Sequence, residues 1–331
     1  MRPFTIDRPS QADEAVAALA GDPGGAFIAG GTELVNWLKE GIVRPSRLLD
    51  INHLPRMGEI EAGPDGLRIG ALTRMADVAD HPAVRRDYPA ISQSLLQSAS
   101  QQLRNMASMG GNLLQRTRCP YFRAETELPC NKRRPGTGCA ALNGEDRTLA
   151  VFGWSEHCLA THPSDVAVAL AALDATVWAR SAGGERSIPL VDFHRLPGGE
   201  PERDTVLERG ELITAITVRA SAVARRSCYV KIRERASYEF ALVSVAAGVD
   251  LDPDGRIREA RLALGGVAPK PWRLAAAEAA LVGVVLAHRE GLRSAIRGAF
   301  ADARPRRHND FKVELAQRAA VRALQTAGGM P

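Results

Sequence analysis

The stretch SMGGNLLQRTRCPYFRAETELPCNKRRPGTGCAALNGEDRTLAVFGWSEHCLATHPSD, residues 108–165, holds a glycine turn, four of the chain's five cysteines and a Ser-Asp pair. Cys119, Cys130, Cys139 and Cys158 are separated by ten, eight and eighteen residues. Pro120, Pro129, Pro135, Gly136 and Gly138 lie beside or between the first three. Residues of that kind break helix and strand periodicity, so the segment reads as a loop. At its end, Ser164 suits a helix N-cap, and Asp165 in the first turn either complements the helix dipole or meets a ligand.

Four thiols in one loop have three physical readings. Two disulfides need an oxidising compartment. A tetrahedral zinc site usually brings paired Cys-x2-Cys knuckles, which this spacing lacks. An iron-sulfur cluster also takes four thiolates, though familiar ferredoxin spacings are tighter. Spacing alone leaves all three open. Arg116, Arg118, Arg123, Lys132, Arg133 and Arg134 crowd the same loop, and cations stabilise the net negative charge of a thiolate-bound cluster. That favours the cluster; the plainer reading is a solvated basic loop.

Working outward, 331 residues exceed one small core and suggest two or three domains. The 45% hydrophobic and 24% charged content is ordinary for a globular chain. No apolar run approaches the eighteen or so residues of a membrane span. The start, MRPFTIDRPSQADEAV, has no apolar signal core and no twin arginine, so no export signal is expected on this chain. A net charge of +5 comes from dispersed residues with 5% aromatics and no nucleic-acid motif, which argues against a nucleic-acid partner. Cys228, in RRSCYVKI, reads as a buried, inert thiol on a strand.

Toward the N-terminus, Phe4 to Ala20 reads as a strand and an amphipathic helix, and Gly21 to Gly25 as a turn. FIAGGTEL, Phe27 to Leu34, then gives an apolar strand, a Gly-Gly turn and a helix start, with Thr32 as N-cap and Gly41 as the stop. Backbone N–H groups at such a turn hold phosphate oxygens without a basic side chain. Gly30-Gly31 alone is a common structural turn and lacks the spaced G-x-G-x-x-G of a Rossmann fold. A second hydroxyl-flanked turn, Ser108 to Asn112, strengthens it, since two such turns can clasp one pyrophosphate.

Between the turns, RLLDINHL and GLRIGALTRMADVAD read as strands and a short helix, and Tyr88 to Met106 as mostly helical. Beyond the cysteine loop, TVWARSAGGERSIPLVDF reads as a hairpin turning at Ser181 to Gly184. GELITAITVRA and SCYVKIRERASYEFALVSVAAGVDLD supply further strands, and NDFKVELAQRAAVRAL a terminal helix. No Ser-His-Asp or paired-carboxylate constellation argues for hydrolysis. His157 and His162 flank the fourth cysteine, either as donors to its surroundings or as structural residues.

FIAGGTEL, LRNMASMGGN, HPSDVAVALAALDA, YVKIRERASYEFALVSVAAGV and LGGVAPKPWR, in this order, resemble the FAD-binding medium subunit of the molybdenum hydroxylases, the xanthine dehydrogenase family. The resemblance covers nearly the whole chain. TRCPYF, LPCNKR and GTGCAAL narrow it to the branch of periplasmic aldehyde oxidoreductases, whose medium subunit holds a 4Fe-4S cluster as well as FAD. It implies that Phe27, Ile28, Ala29, Gly30, Gly31, Thr32, Glu33 and Leu34 wrap the FAD pyrophosphate, and that Ser108, Gly110, Gly111 and Asn112 close the other side. It implies further that Asp165 contacts FAD, that Lys231 and Ile213 lie near the isoalloxazine, and that Cys119, Cys130, Cys139 and Cys158 ligate the cluster.

The fold so implied is α+β. A two-lobed FAD-binding domain of the PCMH type spans 1–222, with lobes over about 1–55 and 56–222 and the cysteine loop at 116–160. A C-terminal domain of the CO dehydrogenase flavoprotein type follows over 223–331. The implied function is electron transfer within a heteromeric molybdenum-dependent aldehyde oxidoreductase. Electrons come from a large molybdenum-cofactor subunit and a small 2Fe-2S subunit and leave to an external acceptor. Lys231 at the ring favours an anionic reduced flavin. Alternatives are the medium subunit of a 4-hydroxybenzoyl-CoA reductase or another molybdenum hydroxylase, a stand-alone flavin oxidase, and a zinc-stapled interaction module. The expected location is periplasmic, by co-export with a signal-bearing partner, or else cytoplasmic.

Overall fold

A computed structural model describes residues 2–330. The chain opens with three short strands, β1 (Thr5–Asp7), β2 (Gly25–Ile28) and β3 (Arg47–Asp50), in the order β1-β3-β2 and all parallel. Parallel neighbours need crossovers, and helix Ala12–Ala20 supplies the first. Its Ala15, Val16 and Leu19 recur at helical spacing and are buried. β2 runs into the first glycine turn, and helix Leu34–Lys39 follows. The N-cap of that helix is Glu33, without a side-chain cap bond, where the sequence suggested Thr32. Gly41, at φ +68°, turns the chain away just past its end.

An antiparallel five-stranded sheet comes next, β4 (Ile60–Gly63), β5 (Gly66–Gly70), β6 (Thr176–Ser181), β7 (Gly184–Pro189) and β8 (Leu212–Arg219), in the order β4-β5-β8-β6-β7. The β6–β7 hairpin turns at the residues read from the sequence, with Gly184 at φ +119°. Tyr88 to Met106 is not one helix. Segments Pro89–Leu96 and Gln101–Met106 are split where Ala99 takes φ +45°, and the Ser100 side chain caps the second.

Helix Asp165–Ala172 is buried at all eight positions. Beyond Asp165 its side chains are apolar on every side and need packing on every side, and it lies against helix 89–96 and the strands Val243–Leu251 and Ile257–Gly265. Ser164 caps it, accepting from the Ala167 N–H at 3.0 Å. The last sheet is β9 (Ser227–Ile232), β10 (Val243–Leu251), β11 (Ile257–Gly265) and β12 (Trp272–Arg273), antiparallel in the order β12-β11-β10-β9. Helices Ala275–Leu281, Arg289–Arg297 and Phe311–Ala327 pack with this sheet around its own core. One larger core joins both preceding sheets to the Asp165 helix. A third, small core lies within the cysteine loop, formed by Cys119, Phe122, Cys130, Leu149, Trp154, Cys158 and neighbours. The α+β class is the one expected.

Candidate functional site

The first glycine turn is shaped by close approach. A Cβ on Gly30 would sit 1.8 Å from the Met106 carbonyl oxygen, and Gly31 takes φ +73°, so neither position tolerates a side chain without movement. Phe27 and Ile28 end β2, Ala29 gives its carbonyl to Asn52 Nδ2 at 3.1 Å, and Leu34 begins the helix. Among the described residues, no acceptor pairs with the backbone N–H groups of Gly30, Gly31, Thr32 and Glu33, although the turn is only half-buried. A row of unpaired donors, the first two on residues without a Cβ, fits an anion such as a phosphate.

The second turn is built differently. Met109 N donates to Thr73 O at 3.0 Å, Gly110 N to Ala71 O at 2.8 Å, Gly111 N to Ser108 Oγ at 3.2 Å and Asn112 N to Ser108 O at 2.9 Å. All four donors are consumed by the short helix Met109–Leu113 and by residues 71–73. Asn112 faces inward, accepting from Ser164 Oγ at 2.5 Å and donating to Met75 Sδ at 3.2 Å. Ser108 is buried, while Gly111 is exposed. This turn therefore offers a bare backbone surface and not a set of donors.

Asp165 is the hub of a buried polar cluster. It accepts from Ser98 Oγ at 2.9 Å, Tyr229 OH at 2.5 Å and Lys231 Nζ at 2.8 Å. Lys231 also donates to Gln97 O at 3.1 Å. Burial, then the adjacent Asp165 carboxylate, pushes the Tyr229 phenol well above its usual range and keeps it a donor. The Lys231 side chain is 1% exposed, so its ammonium is spent on Asp165 and a carbonyl. Ile213 lies in β8 opposite Ala179 and is buried in the larger core.

The cysteine loop closes on itself around its sulfurs. Cys130 and Cys139 form an antiparallel bridge, fixed by Asn131 N to Gly138 O at 2.7 Å and Gly138 N to Asn131 Oδ1 at 2.8 Å. All five cysteines are free thiols. Burial pushes Cys119 up to about 12 and Cys158 up to about 11, and raises Cys139. Backbone N–H groups of Tyr121 and Phe122 at Cys119, of Ala141, Leu159 and Leu142 at Cys139, and of Ala160 at Cys158 oppose that by favouring the thiolate. Lys132 acts in the same sense on Cys158. N–H donors at Cys119, Cys139 and Cys158 suit thiolate ligation, and idle core thiols would not need them.

The basic side chains of this loop also have partners within the protein. Glu33 pairs with Arg118 and, at 2.7 Å, with Arg123, which also reaches Glu40 at 2.9 Å. Asp204 takes Arg116 at 2.7 Å and Lys132 at 2.5 Å. Burial raises Asp204, but Lys132 and Arg116 outweigh it and hold the carboxyl below its usual range. Arg133 holds the Phe122, Ala124 and Glu40 carbonyls, and exposed Arg134 faces Glu127 at 3.6 Å. Arg116, Arg118, Arg123, Lys132 and Arg133 staple the loop to the rest of the chain, while Arg134 is the solvated one.

A cleft of about 170 Å³ lies where the loop meets the C-terminal sheet. Its walls include Arg118, Cys119, His162, Asp165, Phe240 and Gly266. The His162 ring lies 4.1 Å from that of buried His194, tilted by 50°; His194 Nε2 donates to Leu113 O at 2.9 Å, and burial lowers its pKa to about 4. His157 is exposed. Sequence reading missed Ser98, Tyr229, His194, Asp204 and Arg74, none of which sits in a local pattern. Its one available signal for Arg74 was a lone cation ahead of a helix.

Residues 2–219 match the FAD binding domain in molybdopterin dehydrogenase, and residues 228–327 the CO dehydrogenase flavoprotein C-terminal domain. The chain belongs to this family of FAD-binding oxidoreductase subunits. It is 48% identical over 330 residues to the Aldehyde oxidoreductase FAD-binding subunit PaoB of Escherichia coli (strain K12), covering 99% of both chains. It is 29% identical to the Glyceraldehyde dehydrogenase medium chain of Sulfolobus acidocaldarius over 85% of this chain and 81% of that one. Among solved structures, quinoline 2-oxidoreductase from Pseudomonas putida 86 has a chain of the same fold, at a TM-score of 0.76 and 24% identity over 99% of this chain and 98% of that one. Carbon monoxide dehydrogenase from Hydrogenophaga pseudoflava likewise shares it, at 0.75 and 24% over the same shares.

Proposed function

We propose that this chain is the FAD- and 4Fe-4S-carrying medium subunit of a molybdenum-dependent aldehyde oxidoreductase. It works with a large molybdenum-cofactor subunit and a small 2Fe-2S subunit and passes electrons to an external acceptor. The aldehyde class rests on the 48% identity to the PaoB subunit along the whole chain. The observation that carries the two-centre reading is that Cys119 and Asp165 line one cleft, so the sulfur cage and the candidate flavin site share a wall.

When bound, flavin accepts electrons one at a time and delivers one or two. The chain's part is to hold and insulate. The N–H groups of Gly30 to Glu33 suit the pyrophosphate, Gly111 lets a ligand approach the backbone, and Asp165 borders the cleft with its charge already matched by Lys231.

The donor set favours a cluster over zinc. Zinc holds thiolates at about 2.3 Å, which sets tetrahedral sulfurs about 3.8 Å apart. Among the described residues, the only three or more His, Cys, Asp or Glu donor atoms within 4.8 Å of one another are those of Glu145, Asp146 and His308. Among the described residues no three of the four sulfurs come within that limit of one another, and ligands that bind separate irons of a cluster need not. Absorption spectra with iron, sulfide, zinc and flavin analysis on anaerobically purified protein test the reading. One FAD and four irons per chain are expected. Zinc without iron, or no flavin, would defeat it.

A further inference from the structure

Arg74 lies between the two glycine turns. It precedes helix Met75–Asp80, and its backbone bridges to Ser108. Its Nη1 donates to Met106 O at 2.7 Å, and the same nitrogen lies 3.2 Å from where a Gly30 Cβ would be. Its Nη2 donates to Asn52 Oδ1 at 2.9 Å, and Asn52 in turn holds the Ala29 carbonyl at 3.1 Å. The guanidinium is thus wedged between Gly30 and the residue two before Ser108.

Its charge is unmatched. Among the described residues no carboxylate pairs with Arg74, whereas Arg116, Arg118 and Arg123 all have acidic partners. Both Arg74 acceptors are neutral oxygens, and three of its five N–H groups are left over. Beside it stand the four unpaired N–H groups of Gly30 to Glu33. A strut between two turns needs the fork but not the charge. A cation without a counter-ion, next to a row of open donors, calls for an anion with several oxygens, and guanidinium matches phosphate geometry.

We propose that Arg74 is a phosphate-binding residue, supplying the positive charge that the two glycine turns lack to the pyrophosphate of the dinucleotide. This rests on the reading that the turns hold FAD. It also explains how a second turn without free donors contributes, since Met106 O fixes the guanidinium from that side.

The test is FAD titration of the deflavinated full-length protein, followed by flavin fluorescence at several salt concentrations. Arg74→Gln should weaken FAD by about ten- to a hundredfold and flatten the salt dependence. Arg74→Lys, which keeps the charge, should stay much closer to wild type. Unchanged affinity in Arg74→Gln overturns the proposal, as does a loss with undiminished salt dependence, which marks a structural strut. If Arg74→Gln does not fold, Arg74→Lys decides: a loss of a hundredfold or more there shows that the charge is not what matters. Failure of the wild-type protein to bind FAD would instead defeat the underlying site reading.

Discussion

Glu33 Oε1 lies 2.7 Å from Arg123 Nη2, a contact between residues ninety apart that joins the first glycine turn to the cysteine loop. The same carboxylate takes Arg118 and the Arg116 N–H, and its side chain is 14% exposed. One residue thus anchors the loop that carries the sulfurs to the turn with the open donors. Glu33→Ala leaves Arg118 without its acid, while Arg123 keeps Glu40. The cost should be about 1.5–3 kcal/mol, the range for hydrogen bonds to charged groups. Iron and flavin content measured together should both fall. Loss of one with the other intact would separate the two halves.

The two glycine turns should fail in different ways. Gly30→Ala drives a Cβ to 1.8 Å from a backbone carbonyl, so the protein itself must move and the melting temperature should drop. Gly111→Ala meets only Ser108 Oγ, at 2.9 Å, and its other side is open. That variant should melt near wild type and yet retain less FAD. Thermal melts beside flavin occupancy decide it, and full occupancy in Gly111→Ala would mean that nothing approaches that backbone.

For Asp165, which partner is removed matters more than whether one is. Asp165→Ala strands the Lys231 ammonium, 1% exposed, with only a carbonyl, and breaking such a pair from one side costs about 3–5 kcal/mol. Lys231→Met leaves the carboxylate with the Ser98 and Tyr229 hydroxyls and should cost less. Urea unfolding of both variants gives the order. The reverse order would show that the lysine, and not the acid, holds the cluster together.

How much of this was legible depends on range along the chain. The β6–β7 turn, the Ser164 cap and the buried helix behind it follow from neighbours within a few residues, and the structure has them where the pattern put them. Gly30-Gly31 was also local, because a strand, a turn and a helix start announce themselves in eight residues. The roles of charges were not. Asp165 draws partners 64, 66 and 67 residues away, and Asp204 draws Lys132 from 72. Nothing in spacing says that an arginine in the cysteine loop will find Glu33. The break at Ala99, at φ +45°, was missed for a different reason, because Ser100 is a residue type that favours helix N-caps and was a local signal left unread.

Lys312 offers a pH signature. It is fully buried in the final helix, donating to Leu149 O at 3.0 Å and Gly266 O at 2.8 Å. Burial, then Arg147, lowers its pKa to about 7. In the unfolded chain a lysine titrates near about 10.4. Between those values the unfolded state binds the extra proton, so this residue makes stability rise with pH across that window. Below about 7 both states carry the proton and the full burial cost is felt. Lys312→Met removes this one titration while other groups, the cysteines included, stay common to both proteins. The melting temperature of wild type minus that of the variant should therefore climb steadily from neutral pH to about pH 10. A flat difference across that range would mean that Lys312 keeps its proton in the folded protein, held by the Leu149 and Gly266 carbonyls strongly enough to offset its burial.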